Sequence, residues 1–166
     1  KEGDNWTPVK LSTSEYAELK EDPSYRYPNN NIRDAFIDFD NDDIFLQNVE
    51  DSIKKRNFAP SFNDFKEALI GARSISIITA RPQSPETLKK GVKMIIDNSF
   101  NEEEIGNMVE NIEDNYDFTG EPNEIIEKYI ESNYYYPVSF KQREVDVTKE
   151  KGIALDDFVK KTIQAF

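Results

Sequence analysis

Apolar residues recur along this chain in two rhythms, one helical and one extended, and their order predicts most of its elements. Lys1 to Asn31 is polar and rich in Pro and Asn. Within it Thr7 to Leu11 reads as a short extended piece, and Ser12-Thr13-Ser14-Glu15 as a helix start with a hydroxyl cap. Pro23, Pro28 and Asn29-Asn30-Asn31 mark loop. The short run Ala35-Phe36-Ile37 empties into Asp38-Phe39-Asp40-Asn41-Asp42-Asp43, the pattern of a buried strand ending in carboxylates.

Pro60-Ser61 opens a helix with Asp64 in its first turn, the stripe Phe62, Phe65 and Leu69, and Gly71 as its stop. Ile75 to Ile78 is a compact β-branched run, predicted as a central parallel strand ending at Thr79-Ala80-Arg81-Pro82. Ser84-Pro85-Glu86 then supplies a cap, a proline at the first helical position and an acid in the first turn. Leu88, Val92 and Ile95 form that helix's buried face. Another helix starts at Asn101 with Glu104 and carries Ile105, Met108, Val109 and Ile112. The next starts at Pro122 and carries Ile125, Ile126, Tyr129 and Ile130. Tyr134 to Phe140 has strand composition, and Tyr134-Tyr135-Tyr136 reads as strand packing before a stacking platform. A last helix from about Thr148 presents Leu155, Phe158, Val159, Ile163 and Phe166 as its apolar face. Helix, strand, loop, helix is the grammar of a doubly wound, mostly parallel sheet. There is no internal repeat and no low-complexity tract.

Charge narrows the chemistry. The 166 residues suit one core-forming domain, and 33 acidic against 21 basic residues give a net charge of -12. That field argues against nucleic-acid coating and against anionic membrane surfaces, and leaves a small phosphorylated substrate open. No Cys and no His are present, which removes disulfides, thiolate nucleophiles, Cys-ligated zinc and a Ser-His-Asp triad. Asp, Glu, Lys, Arg, Ser, Thr and Tyr remain, for which Mg²⁺ or Ca²⁺ is the natural cofactor. No apolar run approaches the ~20 residues of a membrane span, and no signal peptide opens the chain, which predicts a cytoplasmic setting. The first residue is Lys1, so the sequence reads as a trimmed or processed piece.

Three constellations carry candidate chemistry. Alternating carboxylates from Asp38 to Asp43 suit a metal, or a division into nucleophile and proton donor; the plain alternative is a solvated turn. Read as a calcium loop, Asp38, Asp40 and Asp42 fit, but Asp43 stands where Gly is required and Val49 where Glu is required. Thr79, at a strand's carboxyl end ahead of a capped helix, is placed for an anion, or merely caps its turn while Arg81 is a surface charge. Lys149 and Lys151 stand at a helix start, where a cation opposes the dipole unless it serves an anion; each alone also reads as a solvated first turn.

A strand ending in Asp-x-Asp, a strand ending in Thr and a lysine at a later helix start, in that order, resemble the haloacid dehalogenase-like (HAD) hydrolase superfamily. The segment Ile77 to Val92, with the Pro60 to Gly71 helix before it, is similar to a phosphatase-like branch. The resemblance implies a three-layer Rossmann-like α/β sandwich with a mostly parallel sheet. Residues 35–166 would be its core, 1–34 a polar extension or inserted segment, and about 97–133 a helical insertion. It implies Mg²⁺-dependent hydrolysis of a phosphate monoester. Asp38 would attack phosphorus, Asp40 would protonate the leaving oxygen and later activate water, Thr79 would hydrogen-bond the phosphoryl group, and Lys151 (or Lys149) would steady its charge. Asp38 and the Asp40 carbonyl would hold the metal. A final acidic motif is expected after the Lys151 helix; Asp156 and Asp157 read as solvent-facing charges instead. An alternative alignment places the nucleophile ahead of Lys1 and Asp38 and Asp40 in an inserted loop. A non-catalytic family member serving as a binding or assembly module is the second functional expectation.

Overall fold

A computed structural model describes residues 6–9, 11, 13–30, 41–139 and 146–164, and the chain divides into two units, Lys1–Asp38 and Phe39–Phe166. In the first, helix α1 (Thr13–Leu19) starts where the hydroxyl-rich run predicts. A 3₁₀ turn, Pro28–Asn30, follows, with Asn29 and Asn30 at φ of 51° and 54°, a left-handed region that Asn tolerates better than most residues. Tyr16 and Tyr27 share a hydroxyl–hydroxyl hydrogen bond of 3.1 Å, and the Arg26 guanidinium lies 4.2 Å from the centre of the Trp6 ring.

The second unit opens with α2 (Asp42–Lys54), a helix the strand-and-loop reading of its acidic start does not anticipate. Asn41 caps it, accepting the Ile44 N–H at 3.1 Å. Asp42 and Asp43 then occupy the first turn, where the positive end of the dipole favours them. Because residues 42–54 are helical, a twelve-residue calcium loop running from Asp38 to Val49 is ruled out. Helix α3 (Phe62–Ile70) begins after Ser61, although the serine side chain makes no capping bond. Gly71 follows it at φ −75°, and the left-handed residue is Ala72 at φ 47°.

Strand β1 (Ser76–Thr79) leads to α4 (Pro85–Ser99), capped as predicted by Ser84, whose Oγ accepts the Thr87 N–H at 3.1 Å. Helix α5 (Glu102–Tyr116) carries a complete capping box between Asn101 and Glu104, both bonds at 2.9 Å. The Lys66 ammonium, 2.7 Å from Glu104, holds that carboxyl below its ordinary range, the cap bond adding to the effect. Helix α6 (Pro122–Ser132), strand β2 (Tyr134–Pro137) and α7 (Val147–Gln164) complete the unit. No helix among the described residues is long and apolar enough to cross a membrane.

The core is built by helices. Leu69 of α3, Val92 and Ile96 of α4, Met108 and Ile112 of α5, and Ile125, Ile126, Tyr129 and Ile130 of α6 form one buried cluster. The helical stripes read from the sequence thus bury mainly against one another. The expectation of a three-layer Rossmann-like sandwich with a mostly parallel sheet is therefore corrected. The described residues form seven α-helices and a single two-stranded parallel sheet. The physical reason lies in the crossover. Between the two strand-forming runs the chain supplies three amphipathic helices, whose faces satisfy each other without further strands.

The two strands pair from Ser76↔Tyr134 to Thr79↔Pro137. Buried Asn133 sets the register at the entrance: its Oδ1 accepts the Ile75 N–H at 2.7 Å while its Nδ2 donates to the Tyr129 carbonyl at 2.8 Å. The Tyr129 hydroxyl donates to the Arg73 carbonyl at 2.5 Å. Alternation along β2 sends Tyr135 to the core cluster and Tyr134 and Tyr136 to α7. Tyr134 meets Phe158 edge-on, with ring centres 5.4 Å apart, so these tyrosines pack as strand residues do.

Helix α7 corrects a second expectation. Its inward face is Ala154, Asp157 and Phe158, whereas Leu155, Val159 and Ile163 are 52%, 44% and 68% exposed; Phe166 lies outside the described residues. Polar chemistry selects the inward face. The Tyr136 hydroxyl donates to Asp157 at 2.5 Å, Lys161 pairs with Asp157 at 2.6 Å, and the Lys161 ammonium lies 5.6 and 5.8 Å from the Tyr134 and Tyr136 ring centres. Asp156 is exposed as expected, but Asp157 is tied to the sheet.

Candidate functional site

Chemistry-bearing residues gather where β1 ends and two helices begin. Thr79 closes β1, and its carbonyl accepts the Val138 N–H at 2.9 Å, which extends the sheet one step past Pro137. The Thr79 Oγ1 accepts the Arg81 N–H at 3.1 Å. The hydroxyl therefore braces its own turn, and its proton remains to be donated to an acceptor in front of the strand. Arg81 is exposed and places its guanidinium 5.7 Å from the Phe45 ring centre, which links the loop to α2.

Five residues after Thr79, Ser84 begins α4. Its hydroxyl also lies 2.9 Å from that of Thr87, and the Thr87 hydroxyl donates to the Asp42 carboxylate at 2.8 Å. The starts of α2 and α4 are thereby pinned together. Deeper along the pair, Gly91 lets the helices approach: a Cβ there would stand 3.3 Å from Phe45 Cε1. Thus the carboxyl end of β1, the first turn of α4 and the acidic first turn of α2 share one corner of the fold. Parallel strand ends and helix N-termini both present groups that bind anions.

Of the four residues singled out for catalysis, Thr79 stands in this corner. Asp38 and Asp40 lie outside the described residues. Lys151 is exposed on α7, and no hydrogen bond or ion pair among the described residues joins it to Thr79. The lysine-rich start of α7 is offset by Asp146, whose carboxylate accepts the Lys149 N–H at 3.1 Å. Asp146 is thus the acid that the reading of an uncompensated cation leaves out.

The sequence reading passes over Asp42 and Thr87 as partners. The signal for them is nevertheless present: Asn41 followed by two acids and the stripe Ile44, Phe45 and Val49 is a helix start.

For a metal, the first turns of α2 and α4 carry Asp42, Asp43 and Glu86, and Asp42 is already committed to Thr87. A hard cation needs about six oxygen ligands. Among the described residues no group of three or more acids is close enough to hold one.

On the α7 side of β2, burial first and the hydrogen bond to Asp157 second hold the Tyr136 phenol above its ordinary range. The Lys161 ammonium, and then the Tyr136 hydroxyl, hold Asp157 below its own. This trio is structural: each group is satisfied by the others. A shallow depression bordered by Phe118, Glu124, Glu127, Lys128, Glu131 and Ser132 lies along α6, and its carboxylates make it a solvated acidic face.

In comparisons with known proteins no family model, no curated protein and no solved structure matches the chain.

Proposed function

We propose that this chain hydrolyses phosphate monoesters at the carboxyl end of β1, through an aspartyl-phosphate formed on Asp38. The observation that supports the reading is the Thr87–Asp42 hydrogen bond, which fixes the acidic start of α2 beside the turn that holds Thr79.

In this reading a carboxylate oxygen of Asp38 attacks phosphorus as the ester oxygen departs. Asp40 gives that oxygen its proton, then takes one from the water that cleaves the acyl phosphate. Thr79 donates its free hydroxyl proton to a non-bridging phosphoryl oxygen, and Lys151 offsets the negative charge. A carboxylate and a phosphate dianion repel each other, and Mg²⁺ held by Asp38 and the Asp40 carbonyl would supply the neutralising charge. The substrate class is a small phosphorylated molecule, reached against a net protein charge of -12 only through such local cations.

Phosphate release from p-nitrophenyl phosphate and a panel of natural phosphomonoesters, with Mg²⁺ and with EDTA, tests this. Turnover is expected with Mg²⁺ only, abolished in Asp38→Asn and reduced about 10²-fold in Thr79→Val, the scale for one lost transition-state donor. Full activity in Asp38→Asn would refute the assignment of the nucleophile.

A different observation favours a second reading, a binding or assembly module without catalysis: the apolar side chains that α7 turns to solvent. A folded protein without turnover on any of these esters supports that reading.

A further inference from the structure

Four of the seven large apolar side chains exposed among the described residues lie on α7: Ile153, Leu155, Val159 and Ile163. The other three, Trp6, Val9 and Tyr25, belong to the Lys1–Asp38 unit. In the second unit, then, exposed apolar surface of this kind is concentrated on one helix. Such concentration marks an interaction surface rather than scattered exposure.

Its geometry is specific. Leu155, Val159 and Ile163 follow at intervals of four, which aligns them in one stripe. The stripe faces away from Ala154, Asp157 and Phe158, which pack α7 onto the strands. Helix α7 is thus apolar on two faces, and its own chain covers one.

We propose that a second copy of this chain covers the other, its α7 lying antiparallel across the first with the two-fold axis at Val159. A two-fold contact must be self-complementary, and this stripe is. Centred on Val159, Leu155 of one protomer meets Ile163 of its partner, and the reverse contact follows by symmetry.

The charges beside the stripe fit the same arrangement. Asp156 and Lys160 flank it on one side, both exposed; neither makes an ion pair within its own chain among the described residues, and Lys160 acts only at longer range on Asp157. In an antiparallel pair like flanks face each other. At ~1.5 Å of rise per residue, Asp156 then stands ~3 Å along the axis from Lys160 of the other protomer. Two reciprocal ion pairs close the seam.

A foreign acidic or basic helix would leave one of these signs uncompensated, whereas a second copy answers both. With -12 on each copy and a single-helix contact below the standard interface size, the dimer is weak and reversible.

Sedimentation equilibrium from about 5 to about 500 µM tests this, because mass action makes the dimer fraction follow concentration. The weight-average mass is expected to climb from monomer toward dimer. Val159→Asp, at an exposed position where circular dichroism should show the fold intact, should raise the Kd at least tenfold, or about 1.4 kcal/mol. Asp156→Lys and Lys160→Asp should each weaken the dimer, and the double variant, which restores opposite charges across the seam, should recover it. A monomer mass throughout overturns the proposal. So does a dimer indifferent to Val159→Asp, or a double variant no tighter than the singles.

Discussion

Thr87, buried in the first turn of α4, donates its hydroxyl proton to the carboxylate of Asp42 at 2.8 Å, and so one hydrogen bond joins the starts of two helices that 45 residues of sequence separate. Removing the hydroxyl while keeping the shape isolates that bond. Thr87→Val is expected to cost about 1–2 kcal/mol, lowering the melting temperature by about 2–4 °C for each. Thr87→Ser should stay near the parent. Coincident melting curves for the Thr87→Val variant and the parent would show that the bond holds nothing.

Two glycines inside helices are predicted to answer alanine differently. Gly106 is exposed in mid-α5, and a Cβ there meets nothing within 4 Å. Gly106→Ala should therefore stabilise by about 1 kcal/mol, the full difference in helix propensity. Gly91 faces Phe45 at 3.3 Å, so Gly91→Ala should gain distinctly less, and Gly91→Leu should lose about 1–3 kcal/mol through overpacking. Equal gains for both alanines, by chemical denaturation, would contradict the close approach of α2 and α4.

Asn133 satisfies the Ile75 N–H and the Tyr129 carbonyl at once, and it is 7% exposed. Asn133→Ala strands the Ile75 N–H, whereas the Tyr129 carbonyl keeps the Ser132 hydroxyl at 2.7 Å, and the expected loss is about 1–3 kcal/mol. Native-state hydrogen exchange gives the sharper check. The Ile75 amide should lose protection well beyond the global change; an Ile75 amide that exchanges no faster than its neighbours would refute the role assigned to Asn133.

Stability should fall in alkali. Burial holds the Tyr129 phenol well above its ordinary 10.0, and Tyr135 behaves likewise. A raised folded-state value means that below pH 10 both states keep the proton. Above it the unfolded chain releases protons that the native state retains. The stabilisation is complete below the unfolded value and lost as pH rises, by about 1.4 kcal/mol per pH unit for Tyr129. Urea midpoints should be level with respect to this group at pH 8–9 and drop at pH 11. A Tyr129→Phe protein should drop less steeply, even though it loses the bond to Arg73. An identical slope in both would rule out Tyr129 as a source.

The helices are largely legible in the sequence because caps and stripes are local. Ser84 before Pro85, Asn101 with Glu104, and the four-residue spacing around Tyr129 specify their elements within a dozen residues. The sheet is not. Ile75 to Ile78 has the same composition whether it has one strand neighbour or several, since neighbours are chosen by tertiary packing. Helix α7 misleads for a related reason. It carries two apolar faces, and the inward one is decided by the Tyr136 hydroxyl, which needs Asp157. At the candidate site Thr79 is legible from its position after a β-branched run. The Asp42–Thr87 contact is not, because no periodicity reports which two helix starts will meet.

The bond that opens the sheet joins Ile75 to Asn133, residues 58 apart in sequence, with α4, α5 and α6 between them. Closing so long a segment in an unfolded chain is entropically unfavourable, whereas the intervening helices form and dock through nearer partners. Strand pairing is therefore expected to follow helix condensation in time, through a transition state that holds a helical nucleus with the sheet unmade. Perturbing Asn133 should hasten unfolding and leave refolding almost unchanged, while truncations at Val92 or Ile112 should slow refolding. In a chain emerging from the ribosome, β1 has no β2 to pair with until Tyr134 to Val138 has been made, so the half-finished protein is a set of packed helices with one open strand.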